Sequence, residues 1–320
     1  MKISVLGPGR WGSFIAWYMN KIGNETILWG RESSDQIKNL IETRKNDYVE
    51  MPEAVKLTTD LEHALTSSDY IIISISAQGL RNLMENIKNI SGFDTKKYVL
   101  CMKGIEKETG ARLSTILIDA GVPTGNIAVW VGPGHIQSFV ASVPSVMIID
   151  AYNPDLSKQL ALSFKSDLIR FYQGRDIIGS EIGAAAKNVM GLAAGLLDGM
   201  GYSTLKGGLM ARGSYEISRL ILACGGNPMS AYGLCHLGDY EATLFSEFSH
   251  NRKWGEMFAK DQSFDKLAEG VDTSEALLTL AKKTNIDLPI TKTVYDVIHK
   301  NITKQEAIKQ LFARDNLSEF

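Results

Sequence analysis

The chain has 320 residues, enough for about two domains and a large buried core without disulfides or metal. Hydrophobic residues make up 44% and charged residues 22%, as in an ordinary globular protein, and the formal net charge of -2 gives no reason to expect DNA, RNA or an anionic membrane as partner. Cys101, Cys224 and Cys235 are sparse and odd in number, with no CxxC spacing, so neither a disulfide framework nor a zinc site is expected.

The chain opens on Lys2–Leu6 (KISVL), a buried-strand pattern rather than a basic, then apolar, leader. A glycine turn follows, then a helix carrying Phe14, Ile15, Trp17 and Tyr18. Further strands are expected at Thr26–Trp29, Tyr70–Ile75, Tyr98–Met102, Ile127–Val131 and Ser145–Ile149. The run YIIISI is continuously apolar and β-branched, as in a parallel strand covered on both faces. Helical stretches such as Leu80–Ile90 and Arg112–Ala120 lie between the strands, and this alternation predicts a doubly wound parallel sheet. From about Ser180 strand signals nearly vanish. The expected division is a sheet domain over 1–180 and an all-α domain over 181–320, with no flexible linker. The apolar stretch Ile182–Leu197 is interrupted by Lys187 and Asn188, so no membrane span is expected, and the three sparse cysteines read as reduced thiols of a cytoplasmic protein.

Gly7-Pro8-Gly9-Arg10-Trp11-Gly12 is a GxGxxG placed between the first strand and the first helix. Gly7 permits the tight turn, Gly9 lets a pyrophosphate approach the backbone, and Gly12 allows close helix–strand packing. In this context the motif predicts a Rossmann domain for NAD or NADP, with the phosphates at the helix N-terminus. The second strand ends Trp29-Gly30-Arg31-Glu32. Arg31 suits a 2′-phosphate and Glu32 suits ribose hydroxyls, so NADP is slightly favoured and NAD stays open.

In the stretch from Gly179 to Gly199, glycine recurs at 179, 183, 191, 195 and 199, and Lys187 fills the one remaining slot. Residues four apart share a helix face, so one cationic side chain rises from a smooth ridge. Each glycine costs about 1 kcal/mol of helix stability relative to alanine, so five on one face point to close approach of another backbone, helix or ligand. A lysine flanked by Ala and Gly in a dry cleft suits proton exchange with a hydroxyl or carbonyl oxygen. Asn188 beside it can bond a substrate or cofactor amide. Lys103 and the loop Gly132-Pro133-Gly134-His135 each follow a strand's carboxyl end, where open sheets bind ligands, and His135 is a second candidate acid. Asp239 can orient Lys187 or bind a substrate hydroxyl, and Ser249-His250-Asn251-Arg252-Lys253 can hold an anion.

These segments together resemble the NAD(P)-dependent glycerol-3-phosphate dehydrogenases of bacteria. The resemblance rests on GPGRWG with WGR, CMKGIE, GPGH, GSEIGAAAKNV, DGMG, MARG, GLCHLGD, SHNRKWG, AEGVDT and LPITKTVYDVI, nearly end to end. It implies reversible reduction of dihydroxyacetone phosphate to sn-glycerol 3-phosphate for glycerophospholipid synthesis. It implies Lys187 as proton donor and acceptor. It assigns Lys103, Gly132, Gly134, Asp239, Ser249, His250 and Asn251 to the substrate. It assigns Gly7, Gly9, Arg10, Trp11, Gly12, Arg31, Lys103, Ile136, His250 and Glu269 to the cofactor. The chain departs from the family pattern at three places: Gly134 stands where GPSxA has serine, Thr204 where asparagine is usual, and His250 where SRNR has arginine. A neutral imidazole does not replace a bidentate guanidinium on phosphate. The departures leave room for another polyol phosphate or small hydroxy acid as substrate, or for a non-catalytic nucleotide-binding role. The partner expected is a small molecule. Tyr, Met and Leu residues on the C-terminal helices fit a homodimer interface or core packing equally.

Overall fold

The computed structural model describes residues 1–313. They divide into two compact units: Met1–Gly104 with Ala111–Glu181, and Ile105–Gly110 with the chain from Ile182 onward.

The first unit is a sheet of eight strands: β1 (Lys2–Leu6), β2 (Glu25–Trp29), β3 (Lys56–Thr58), β4 (Tyr70–Ile73), β5 (Lys97–Leu100), β6 (Ile127–Val131), β7 (Ser145–Ala151) and β8 (Ile169–Gln173). Between them run α1 (Arg10–Lys21), α2 (Asp35–Thr43), α3 (Leu61–Thr66), α4 (Leu80–Ile87), α5 (Leu113–Asp119), α6 (Ile136–Val140) and α7 (Pro154–Phe164). The strand order is β3-β2-β1-β4-β5-β6-β7-β8. It reverses direction at β1 and β4, so the carboxyl ends of these strands frame the ligand crevice of an open α/β sheet.

The strands alternate between two apolar layers, because successive side chains leave opposite faces. Ile3, Val5, Ile72, Val99, Ala128 and Trp130 join Phe14 and Tyr18 in one layer. Leu6, Ile71, Ile73, Tyr98, Leu100, Ile127 and Val129 join Leu80, Leu83 and Leu117 in the other. Residues buried on both faces explain why these strands read as unbroken apolar runs.

Two features differ from the sequence expectation. β3 and β8 carry little periodic signal, since much of each is exposed. And β6 pairs with β7 antiparallel rather than parallel. The connection between them holds only α6, whose five residues advance about 8 Å, while the five residues of β6 extend about 16 Å. One turn of helix does not return the chain to the start of the strand, so β7 runs back instead.

The second unit is helical: α8 (Ile177–Gly199, which begins in the first unit), α9 (Lys206–Ala223), α10 (His250–Ala259), α11 (Gly270–Thr284), α12 (Pro289–Ile298) and α13 (Lys304–Phe312). α8 is buried along nearly its whole length. Its glycine face is where other chain segments come closest. A Cβ at Gly183 would lie 2.9 Å from the Cys235 sulfur, and one at Gly195 only 1.9 Å from the Arg252 carbonyl oxygen. Gly199 meets the Glu256 backbone, and a Cβ on Gly255 of α10 would in return lie 2.3 Å from the Leu192 carbonyl oxygen of α8. The ridge is thus paved for backbone contact by the segment 235–259, which pays back the helix propensity lost to glycine. No helix among the described residues is long and apolar enough to cross a membrane.

Glu216 on α9 fastens α12. Its carboxylate accepts bonds from Ile290 N (2.7 Å), Thr291 N (3.0 Å) and Thr291 Oγ1 (2.7 Å), so it caps a helix whose own N-cap residue, Leu288, makes no side-chain cap bond. Burial nonetheless pushes its pKa up to about 6, from an ordinary 4.5. The folded state therefore binds this proton more tightly than the unfolded chain does. That stabilisation, on the order of 2 kcal/mol, is present below the unfolded value and is lost as the pH rises through the folded one. Glu216→Gln removes the titration. The Tm of the wild type minus that of the variant is expected to fall between about pH 4.5 and about pH 6.5; a difference that stays flat or rises contradicts the assignment.

Candidate active site

The first unit builds a dinucleotide cradle from its glycines. Gly7 has φ +117°, and a Cβ there would lie 2.3 Å from the Ser74 carbonyl oxygen. A Cβ on Gly12 would lie 1.8 Å from the Gly7 carbonyl oxygen, so α1 touches the β1 turn directly. Gly9 differs: a Cβ there would meet only the Gln36 side chain, at 3.8 Å, so space is open above it. It is the N-cap residue of α1, with no side-chain cap bond and no acid in the first turn. Free N–H groups and an open cradle suit a pyrophosphate. Arg10 follows, its guanidinium 5.7 Å from the Tyr48 ring centre and its Nε buried without a hydrogen-bond partner among the described residues. Burial lowers the Arg10 pKa. Arg31 and Glu32, at the end of β2, are both exposed.

Lys103 lies over the Trp11 ring at 5.7 Å, and its Nζ donates to the Gly132 carbonyl oxygen at 2.8 Å. Three residues far apart in sequence thus meet beside the cradle. Trp11 and Phe14 both contact the ring of Phe139 on α6. That ring explains Gly134. Gly134 has φ +155°, and a Cβ on it would lie 2.5 Å from Phe139. The residue is a glycine because an aromatic side chain occupies the serine's space. His135 takes the N-cap position of α6 without a side-chain cap bond. The Ile136 side chain is wholly buried in the apolar layer, so only its backbone is available to a cofactor.

In the helical unit, Lys187 is 8% exposed. Its Nζ lies 3.1 Å from Asp239 Oδ2 and donates to Thr243 Oγ1 at 2.9 Å. Asp239 ends a 3₁₀ turn, Leu237–Asp239, and Thr243 lies in the π-helical turn Glu241–Phe245. Between Lys187 on α8 and this irregular segment the structure brings together an ammonium, a carboxylate and a hydroxyl. Of the two roles open to Asp239, the geometry shows it on Lys187. Asn188 Oδ1 accepts from Asn251 Nδ2 at 3.1 Å, and Asn251 Oδ1 accepts from Gly270 N at 2.9 Å, next to Glu269.

The polar loop is less free than its sequence implies. The Ser249 hydroxyl caps α10 through Arg252 N. Arg252 is committed to Asp198 at 2.7 Å, Glu256 at 3.2 Å and the Ser246 carbonyl oxygen at 3.1 Å. Its Nε and Nη1 are thus already engaged within the fold. His250 packs edge-on against Phe264, and Lys253 is exposed. Thr204 is exposed in the 3₁₀ turn Ser203–Leu205.

Sequence reasoning missed Thr243, and with it His236 and Tyr240. Their signal was present: polar residues at 236, 239, 240 and 243 recur at helical spacing around one acid.

Gly134→Ser is expected to lower stability by roughly 1–3 kcal/mol, because the new side chain is strained at this φ and collides with Phe139. Calorimetric melting checks this; a serine variant as stable as the wild type removes the account of the glycine.

Residues 2–157 match the family described as NAD-dependent glycerol-3-phosphate dehydrogenase N-terminus, and residues 176–309 match its C-terminus. A glycerol-3-phosphate dehydrogenase [NAD(P)+] from Prosthecochloris aestuarii is 34% identical, covering 98% of each chain. One from Thermoanaerobacter sp. is 32% identical, covering 100% of this chain and 99% of the relative. A solved glycerol-3-phosphate dehydrogenase from Coxiella burnetii superposes with a TM-score of 0.89 at 26% identity, covering 98% of this chain and 99% of that one. With a glycine cradle in a doubly wound sheet and a helical unit centred on Lys187, the chain belongs to the NAD(P)-dependent glycerol-3-phosphate dehydrogenase family.

Proposed function

We propose that this chain interconverts dihydroxyacetone phosphate and sn-glycerol 3-phosphate in the cytoplasm, supplying glycerophospholipid synthesis. The observation that carries the reading is Lys187: a buried nitrogen held by one carboxylate and one hydroxyl, on a helix face otherwise made of glycine.

The nicotinamide supplies the hydride when bound. The chain's own residues do the rest. Gly7, Gly9 and Gly12 with the α1 N-terminus bind the pyrophosphate, Arg10, Trp11 and Lys103 flank it, and Arg31 favours NADPH while leaving NADH usable. Lys187 gives its proton to the carbonyl oxygen as that oxygen gains charge, and takes it back in the reverse direction. Asp239 holds the Lys187 nitrogen in place. Lys103 and the Gly132 loop are the sheet unit's own candidates for substrate contact. His250, beside the Ser249 cap and the Asn251 clamp, faces the phosphate in place of arginine.

Lys187→Ala is expected to abolish turnover while NADPH affinity changes less than about threefold, since no nucleotide contact is lost; at least a hundredfold fall is the usual scale for a general acid. Steady-state rates with NADPH and NADH, and calorimetric nucleotide binding, check both halves. Turnover that survives removes the mechanism.

The histidine at 250 favours a second reading, in which the substrate is a different polyol phosphate or small hydroxy acid. His250→Arg distinguishes the two. If dihydroxyacetone phosphate is the substrate, the new guanidinium raises kcat/KM about tenfold or more, the worth of one charged hydrogen bond. A fall, together with faster turnover of another carbonyl compound by the wild type, supports the second reading.

A further inference from the structure

His236 is wholly buried, and both its ring nitrogens are engaged. Nδ1–H donates to the Gly183 carbonyl oxygen at 2.9 Å, and Nε2 accepts from the Tyr240 hydroxyl at 2.6 Å. Gly183 stands one helical turn before Lys187 on α8. Asp239 stands between His236 and Tyr240, its N–H bonded to the His236 carbonyl oxygen at 2.9 Å. The Tyr240 carbonyl oxygen accepts from Leu244 N at 2.7 Å and from Thr243 N at 3.1 Å. The two groups that hold Lys187 are therefore carried on a segment that this imidazole helps to fasten to α8. The segment comes this close because position 183 is a glycine: a Cβ there would lie 2.9 Å from the Cys235 sulfur and 3.1 Å from the His236 Cβ.

We propose that His236 and Tyr240 are positioning residues, which set the Asp239 carboxylate and the Thr243 hydroxyl at their bonding distances from Lys187. This rests on the reading of Lys187 as proton donor. The imidazole suits the task because it stays neutral: burial pushes its pKa down to about 4, against the opposing pull of the Gly183 hydrogen bond and of Asp239, and Lys187 adds to the fall. A neutral ring has one donor and one acceptor, and the Gly183 carbonyl fixes which nitrogen is which. The Tyr240 hydroxyl then locks the ring against rotation. Without that lock the segment still folds, but the carboxylate loses its fixed approach to the ammonium, and small misplacements of a proton donor are costly in rate.

The test is a double-mutant cycle on kcat. Tyr240→Phe deletes one hydroxyl and no carbon. It is expected to lower kcat about tenfold while KM for dihydroxyacetone phosphate and the dissociation constant of NADPH stay within about twofold. In an Asp239→Asn background the same change has little further effect, because the hydroxyl acts through the carboxylate. A residue that only packs the core gives equal factors in both backgrounds, or a lower Tm with unchanged kcat, and either result overturns the proposal. His236→Gln, which keeps one donor and one acceptor, is expected to retain more kcat than His236→Leu at equal NADPH affinity; equal loss in both overturns it as well. If Lys187→Ala retains turnover, the underlying reading has failed. If Lys187→Ala is inactive and Tyr240→Phe turns over like the wild type, only the positioning role has failed.

Discussion

An ammonium buried beside a carboxylate is the constraint around which the helical unit is arranged. Taking both charges out of water costs several kcal/mol each, and the attraction between them offsets this only when the geometry is tight and the remaining polar atoms are satisfied. Lys187 has the tight geometry, with Asp239 at 3.1 Å and the Thr243 hydroxyl at 2.9 Å. Removing one partner leaves an uncompensated buried charge, at a cost of about 3–5 kcal/mol. The pair is thus a commitment made at some expense, and proton transfer is the work that the expense suits.

The glycines of α8 follow from the same constraint. The carboxylate and hydroxyl lie on a segment without regular helix, which must come close enough to α8 to reach a lysine side chain. Gly183 admits Cys235 and His236, Gly191 admits Thr243 and Asn251, and Gly195 and Gly199 admit the backbone of α10. The π-helical turn that carries Thr243 is a further irregularity of the kind found at functional positions. In the sheet unit, Gly7 and Gly12 allow the β1 turn and α1 to touch, while Gly9 leaves space for a ligand. Gly134 exists because Phe139, stacked on Phe14, occupies the space of a side chain.

Much of this was legible in the residues alone, and the exceptions have physical causes. β1, β4 and β6 were plain because both their faces are buried, which leaves an unbroken apolar run. β3 and β8 were silent because they are short or half exposed. The reversal at β7 depends on the length of α6, and no strand pattern reports strand direction. The glycine period announced α8 and its lysine, and GxGxxG between strand and helix announced the cradle. What the residues did not disclose was commitment. Arg252 reads as a free cation but is bound by Asp198 and Glu256. Ser249 and Asn251 read as ligand contacts, and in the fold they also hold α10 and the Gly270 turn. His236 reads as one polar residue in a loop, and only its two bonds reveal it as a fastening.

The central claim is that the nitrogen at position 187, and no other group, delivers the proton. Chemical rescue tests it most directly. Lys187→Cys removes the amine, and alkylation with 2-bromoethylamine rebuilds a side chain of nearly the same length ending in an ammonium; the same treatment of wild type controls for Cys101, Cys224 and Cys235. Turnover of dihydroxyacetone phosphate is expected to be lost in the cysteine variant and recovered on aminoethylation by a factor of about a hundred or more, in keeping with a general acid. A cysteine variant that turns over like the wild type, or an aminoethylated one that binds NADPH normally and stays inactive, would contradict the account.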